Sequence, residues 1–178
     1  MEDLEQLKYP IGRYQKPGDF SKKNRAEWIK IIEELPDKLR QATNGLSQEQ
    51  LDTQYRQEGW TIRQTVHHFA DSHTNAFIRF KLALTEDKPT IKPYLEDKWA
   101  RLSDSTKAPI ESSLNILDGL HKRWVILLNS MTDEDFERLF IHPQHCREVS
   151  LKENLALYAW HSKHHLAHIT SLIERNNW

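Results

Sequence analysis

Seven of the ten histidines fall in two short clusters about ninety residues apart. The first is Trp60-Thr-Ile-Arg-Gln-Thr-Val-His67-His68-Phe-Ala-Asp71-Ser-His73. The second is Tyr158-Ala-Trp160-His161-Ser-Lys-His164-His165-Leu-Ala-His168. On a helix, His161 and His165 stand one turn apart and point the same way. Two imidazoles on one helix face plus a third from another helix build a three-nitrogen divalent metal site with open positions. Such a metal lowers the pKa of bound water toward about 7 and so supplies a nucleophile at neutral pH. It deprotonates a thiol more readily still. Two reaction types follow: hydrolysis, and transfer of a low-molecular-weight thiol to an electrophile.

Helical phase ranks the histidines of the second cluster. At about 100° per residue, Leu151, Leu155, Tyr158, Ile169 and Leu172 define an inward stripe. His165 falls inside it, His161 on its edge, and His168 slightly further round. His164 points furthest toward solvent and is expected to be solvated. The pair His161/His165 is therefore the better inward pair than His164/His168. The first cluster is less decisive. Its apolar stripe runs through Val66 and Phe77 and carries His73, while His68 lies nearly opposite, beside the small residues Thr65, Ser72 and Ala76. Periodicity alone favours His73 as the buried one, and spacing does not separate His67, His68 and His73.

The elements that must position these side chains are helical. Only three valines and five glycines occur, while good helix formers are plentiful. The first 20 residues, with Pro10 and Pro17, read as an irregular lead-in. Ser21 caps a helix to about 43, which Pro36 would kink or split. Ser47-Gln-Glu-Gln50 is a capping box for a short turn. Thr61-Ile-Arg-Gln64 opens a helix over about 61–84. A third helix runs over about 109–130, with Ile110, Leu114, Leu117, Trp124 and Leu128 on one face. Thr132-Asp-Glu-Asp135 caps a short turn. Residues 137–150 form a small hairpin or an extended loop. Ser150-Leu-Lys-Glu153 is a capping box for a last helix over about 151–175. Four amphipathic helices predict an all-α four-helix bundle occupying residues 1–178 as one domain. The link 85–108, which Tyr94 and Trp99 would pin down, is long enough to serve as a crossover or a binding loop.

The segment from Trp60 to Asp71, with a Trp, a helix start, a His eight residues on and a small-residue–Asp pair, resembles the first motif of the DinB/YfiT-like family. The segment Trp160-His161-Ser-Lys-His164-His165 resembles its second, whose two ligands stand at i and i+4. Tyr9-Pro-Ile-Gly12, Arg79-Phe-Lys-Leu-Ala-Leu84, Pro89-Thr-Ile-Lys-Pro93 and Leu120-His-Lys-Arg-Trp124 are similar to the YfiT branch, so the likeness extends over nearly the whole chain. The resemblance implies a four-helix bundle, a homodimer and one divalent metal per chain, zinc or nickel, held by His68, His161 and His165. It implies a metal-dependent hydrolase acting on a small-molecule substrate. The wider superfamily adds a second expectation, a thiol S-transferase for thiols such as bacillithiol. A non-catalytic metal-binding or stress-response protein is a third reading, with His73 or Asp71 closing the site.

Asp71, one turn from His68, is a candidate to orient that ring. His121, His142 and His145 read as ordinary helix or loop residues, and the lone Cys146 as incidental. One cysteine excludes an internal disulfide framework and a thiolate-built metal site. The 25 basic and 26 acidic residues leave a net charge of −1, with no basic stripe, which argues against nucleic acid as the partner. The N-terminus carries no apolar signal segment, and no apolar run is long enough to span a membrane. The expected location is the cytoplasm.

Overall fold

The structure, a computed structural model, describes residues 4–145 and 147–178. The expectation for Cys146 lies outside them. Four long helices dominate: α2 (Lys22–Thr43), α4 (Ile62–Thr85), α7 (Ile110–Ser130) and α9 (Leu151–Asn176). Short elements fill the connections: α1 (Leu4–Lys8), α3 (Gln48–Leu51), α5 (Glu96–Trp99), α6 (Ser103–Lys107) and α8 (Asp133–Glu137). A hairpin of β1 (Leu139–His142) and β2 (Arg147–Ser150) precedes α9.

Local chemistry sets the boundaries. At the start of α4 the Thr61 hydroxyl accepts the Gln64 N–H at 3.1 Å, and the Gln64 side-chain Oε1 accepts the Thr61 N–H at 2.9 Å. Such reciprocal caps satisfy donors that the first turn leaves orphaned. Ser47 and Thr132 make the same boxes for α3 and α8. Ser150 forms only half of its expected box. Its hydroxyl takes the Glu153 N–H at 3.3 Å, but the Glu153 carboxylate pairs with Lys16 and approaches Arg147 at 4.0 Å. Pro36 does not split α2, which runs through it with Ile32, Leu35 and Leu39 buried.

Around the bundle, α2 packs on α7 and α9, and α4 packs on α7 and α9. Two apolar clusters fix the directions. One gathers Ile32, Phe77, Phe80, Trp124, Leu128, Leu151 and Leu155. The other gathers Leu35, Leu39, Val66, Phe69, Leu114, Leu117, Ile169 and Leu172. So α2 and α9 run from the first cluster to the second, while α4 and α7 run the opposite way. The neighbours α4 and α7 are thus parallel, and their link over 86–109 is the expected crossover. It is not a bare loop: it contains α5 and α6, and its start is stitched to the hairpin. The Ile141 N–H donates to Pro89 O at 2.9 Å, and the Ile91 N–H donates to Ile141 O at 3.0 Å. Tyr94 packs against Trp99 with the rings tilted and their centroids 4.6 Å apart, and Trp99 stays exposed. Between the two apolar clusters lies a layer of histidines from α4, α7 and α9.

Candidate metal centre

His68 on α4 and His161 on α9 face each other across the antiparallel α4–α9 pair, with Nε2 atoms 3.2 Å apart. One turn further along α9, His165 brings its ring to the same point. One ligand atom of each of the three lies within 4.8 Å of the other two. Two nitrogens bound at about 2.0–2.1 Å to a tetrahedral zinc stand about 3.3 Å apart. The spacing of His68 and His161 therefore fits a shared divalent ion. The Trp60 indole forms a wall, with its ring centroid 4.6 Å from that of His68 and stacked 6.0 Å from that of His165. Burial pushes the His68 imidazole down to about 3, and drives His161 and His165 well below their ordinary value; the neighbouring imidazoles push the same way. All three rings are neutral at pH 7, with lone pairs available to a cation.

The remaining histidines are placed differently from expectation in two cases. His164, expected in solvent, is 6% exposed. It stacks on Trp160 at 4.4 Å and lies 5.8 Å from the Tyr9 ring. The N-terminal segment, read as an irregular lead-in, folds over this face of α9, and helical phase cannot foresee that cover. His121, read as an ordinary helix residue, is 1% exposed. A signal for it was present: position 121 continues the stripe Leu114, Leu117, Trp124 and Leu128 at helical spacing.

His73 is buried, as periodicity favoured, yet it stands behind the centre. Its Nε2 lies 3.4 Å from His161 Nδ1, and its Nδ1 lies 3.0 Å from His121 Nε2. Both ring nitrogens are engaged, so His73 is not a fourth ligand. His67 is structural: it sits 2.7 Å from the Ser113 hydroxyl and 3.2 Å from the Ala108 carbonyl, fastening α4 to the start of α7. Asp71, a candidate to orient His68, makes no side-chain hydrogen bond to it among the described residues. Burial and the Asp104 carboxylate push its own carboxyl up to about 6.

His164, His165 and His168 also bring donor atoms within 4.8 Å of one another. The His168 Nε2–H donates to the Lys8 carbonyl at 3.1 Å, and its ring stacks on Tyr55 at 4.0 Å. The Arg56 cation bears on His168 and opposes a second cation there.

Two recesses open beside the centre. One, of about 510 Å³, is lined by Ser72, Arg79, Tyr94, Tyr158 and His161. The other, of about 340 Å³, is lined by Lys8, Tyr55, Arg56, Trp60 and His165. Asp97 of the crossover borders both.

The chain belongs to the DinB superfamily, whose sequence profile matches residues 31–169. Within it the likeness narrows further. The chain is 50% identical over 172 residues to "Putative metal-dependent hydrolase YfiT" of Bacillus subtilis, covering 97% of each protein. It is 54% identical to a Bacillus mycoides protein named as a metal-dependent hydrolase of the same provisional kind, covering 98% of this chain and all of that one. The solved structure of Bacillus subtilis YfiT superposes with a TM-score of 0.94 over 97% of this chain and 99% of that chain. That protein is described as having an unusual four-helix bundle topology.

Proposed function

We propose that the protein is a metal-dependent hydrolase in which His68, His161 and His165 hold one divalent ion, zinc or nickel, per chain. The observation that carries this reading is the convergence of three neutral imidazoles within 4.8 Å at the edge of two recesses. The ion, when bound, supplies Lewis-acid polarisation and an acidified water, the nucleophile of a hydrolase. The protein's own groups do the rest. Burial keeps the three rings deprotonated, so binding releases no protons from them at neutral pH. Trp60 closes one side and limits water at the centre. Arg79, Tyr94 and Tyr158 in the larger recess offer a cation and two hydroxyls to orient a polar substrate. With both His73 ring nitrogens engaged and Asp71 outside the His68–His161–His165 group, neither residue closes the coordination sphere among the described residues, which favours an open, reactive centre over a storage site.

One observation supports a second reading. His161 borders one recess and His165 the other, so two molecules could approach one ion from separate sides. That arrangement suits transfer of a low-molecular-weight thiol to an electrophile. The test for both is one panel of activated esters, amides and electrophiles, with water alone or with added thiol. Turnover is expected to vanish on chelation and return with zinc or nickel. Turnover that survives in metal-free protein would overturn both readings. Turnover only with thiol present would replace the first by the second.

A further inference from the structure

Two buried imidazoles, His73 at 0% and His121 at 1% exposure, stand behind the metal centre with no carboxylate hydrogen-bonded to either among the described residues. A buried imidazole without such a partner is neutral, because desolvation penalises the charged form. A neutral imidazole carries one N–H and one lone pair. In a chain of such rings, fixing the proton at one end fixes it throughout.

The end is fixed by a carbonyl, which only accepts. His121 Nδ1 lies 2.5 Å from Ile32 O, so His121 Nδ1–H donates and its Nε2 holds the lone pair. That lone pair faces His73 Nδ1 at 3.0 Å, so His73 Nδ1–H donates. His73 Nε2 is then an acceptor, and it faces His161 Nδ1 at 3.4 Å. His161 therefore carries its proton on Nδ1 and its lone pair on Nε2. This Nε2 is the atom that faces His68 Nε2 across the centre. The Ile32 carbonyl is available for a reason written in the sequence. Four residues on stands Pro36, which has no N–H to give it and whose ring pushes that carbonyl off the helix axis.

We propose that Pro36, His121 and His73 form a tautomer relay that holds the His161 Nε2 lone pair at the metal centre, with His73 and His121 as positioning residues. The relay serves His161 alone; His165 Nδ1 is buried with no hydrogen-bond partner among the described residues. The proposal rests on the three-histidine reading, so zinc binding by the wild-type protein is measured first. A wild type that takes up no zinc overturns that reading and, with it, any function for the relay.

The decisive measurement is two-bond nitrogen–proton correlation NMR of the imidazoles in metal-free and zinc-loaded protein at neutral pH. The relay predicts a proton on Nδ1 of His121, His73 and His161 in both forms. A proton on Nε2 of His73 overturns it. The variant His121→Phe removes the acceptor for His73 and frees His73 to reverse its tautomer. Zinc affinity in chelator competition is expected to fall about 10- to 100-fold. His121→Gln, whose amide oxygen can accept from His73, is expected to recover most of the loss. Unchanged affinity in a folded His121→Phe protein, or a Gln variant as weak as the Phe variant, contradicts the relay. If His121→Phe does not fold, the wild-type tautomers alone decide.

Discussion

At the scale of single residues, the candidate metal ligands were legible unevenly. Helical phase placed His161 and His165 on the inner side of α9, where they meet His68, but it also ranked them above His164 and His168, which the N-terminal segment leaves the more buried pair. His68 did not follow from phase. It occupies the less apolar side of α4, and only family resemblance selected it over His73. The structure explains the ambiguity: both rings are buried, one at the centre and one behind it. Asp71 carries a prediction of its own. Burial and Asp104 raise its carboxyl from an ordinary 3.8 to about 6, so the folded state resists its ionisation. A raised acidic pKa costs stability above the folded value and nothing below the unfolded one. Asp71→Asn is expected to stabilise the protein above pH 6, with the difference fading as pH falls from 6 toward 4. Urea titrations of both proteins across that range check it; an equal difference at pH 4 and pH 8 would contradict it.

At the scale of elements, the long helices were readable because caps and apolar periodicity agree, as at Thr61 and Gln64. What could not be read was the N-terminal cover on α9, since α1 is short and carries no buried residue to announce its docking. The crossover between α4 and α7 is tied to α4 by Gln64, His67 and the buried Arg63. Arg63 is bound to Asp52 at 2.6 Å, to Gln48 at 2.7 Å and to the Ala108 carbonyl at 3.1 Å. It thereby joins α3, α4 and the end of the crossover, next to His67 and His68. Asp52 is half exposed, so solvent screens the ion pair, and the hydrogen bonds carry most of the effect. Arg63→Ala is expected to cost about 1–3 kcal/mol. It should also raise amide exchange over residues 100–109 by hydrogen-exchange mass spectrometry. Unchanged exchange there would mean that the crossover is held by something else.

At the scale of the whole molecule, the bundle buries an unusual number of imidazoles in its middle layer. Burial lowers His68 to about 3 and His121, His164 and His168 to about 4, and His73, His161 and His165 move the same way. For a depressed imidazole, the unfolded chain binds protons first as pH falls below its ordinary 6.5. The metal-free protein should therefore lose stability steadily from about pH 6.5 downward, and thermal melts between pH 8 and pH 4.5 check this. A Tm that stays flat to pH 4.5 would contradict the burial of these rings. The fold class was written in composition and periodicity, but the order of the helices around the core was not, because diagonal and adjacent connections read alike along a chain. The claim on which the rest depends is that His68, His161 and His165 hold the metal. Elemental analysis of purified protein after dialysis tests it directly. Wild type and His164→Ala are expected to carry about one divalent ion per chain, and His68→Ala, His161→Ala and His165→Ala each to lose most of it. Equal metal content in wild type and all four variants would contradict the account.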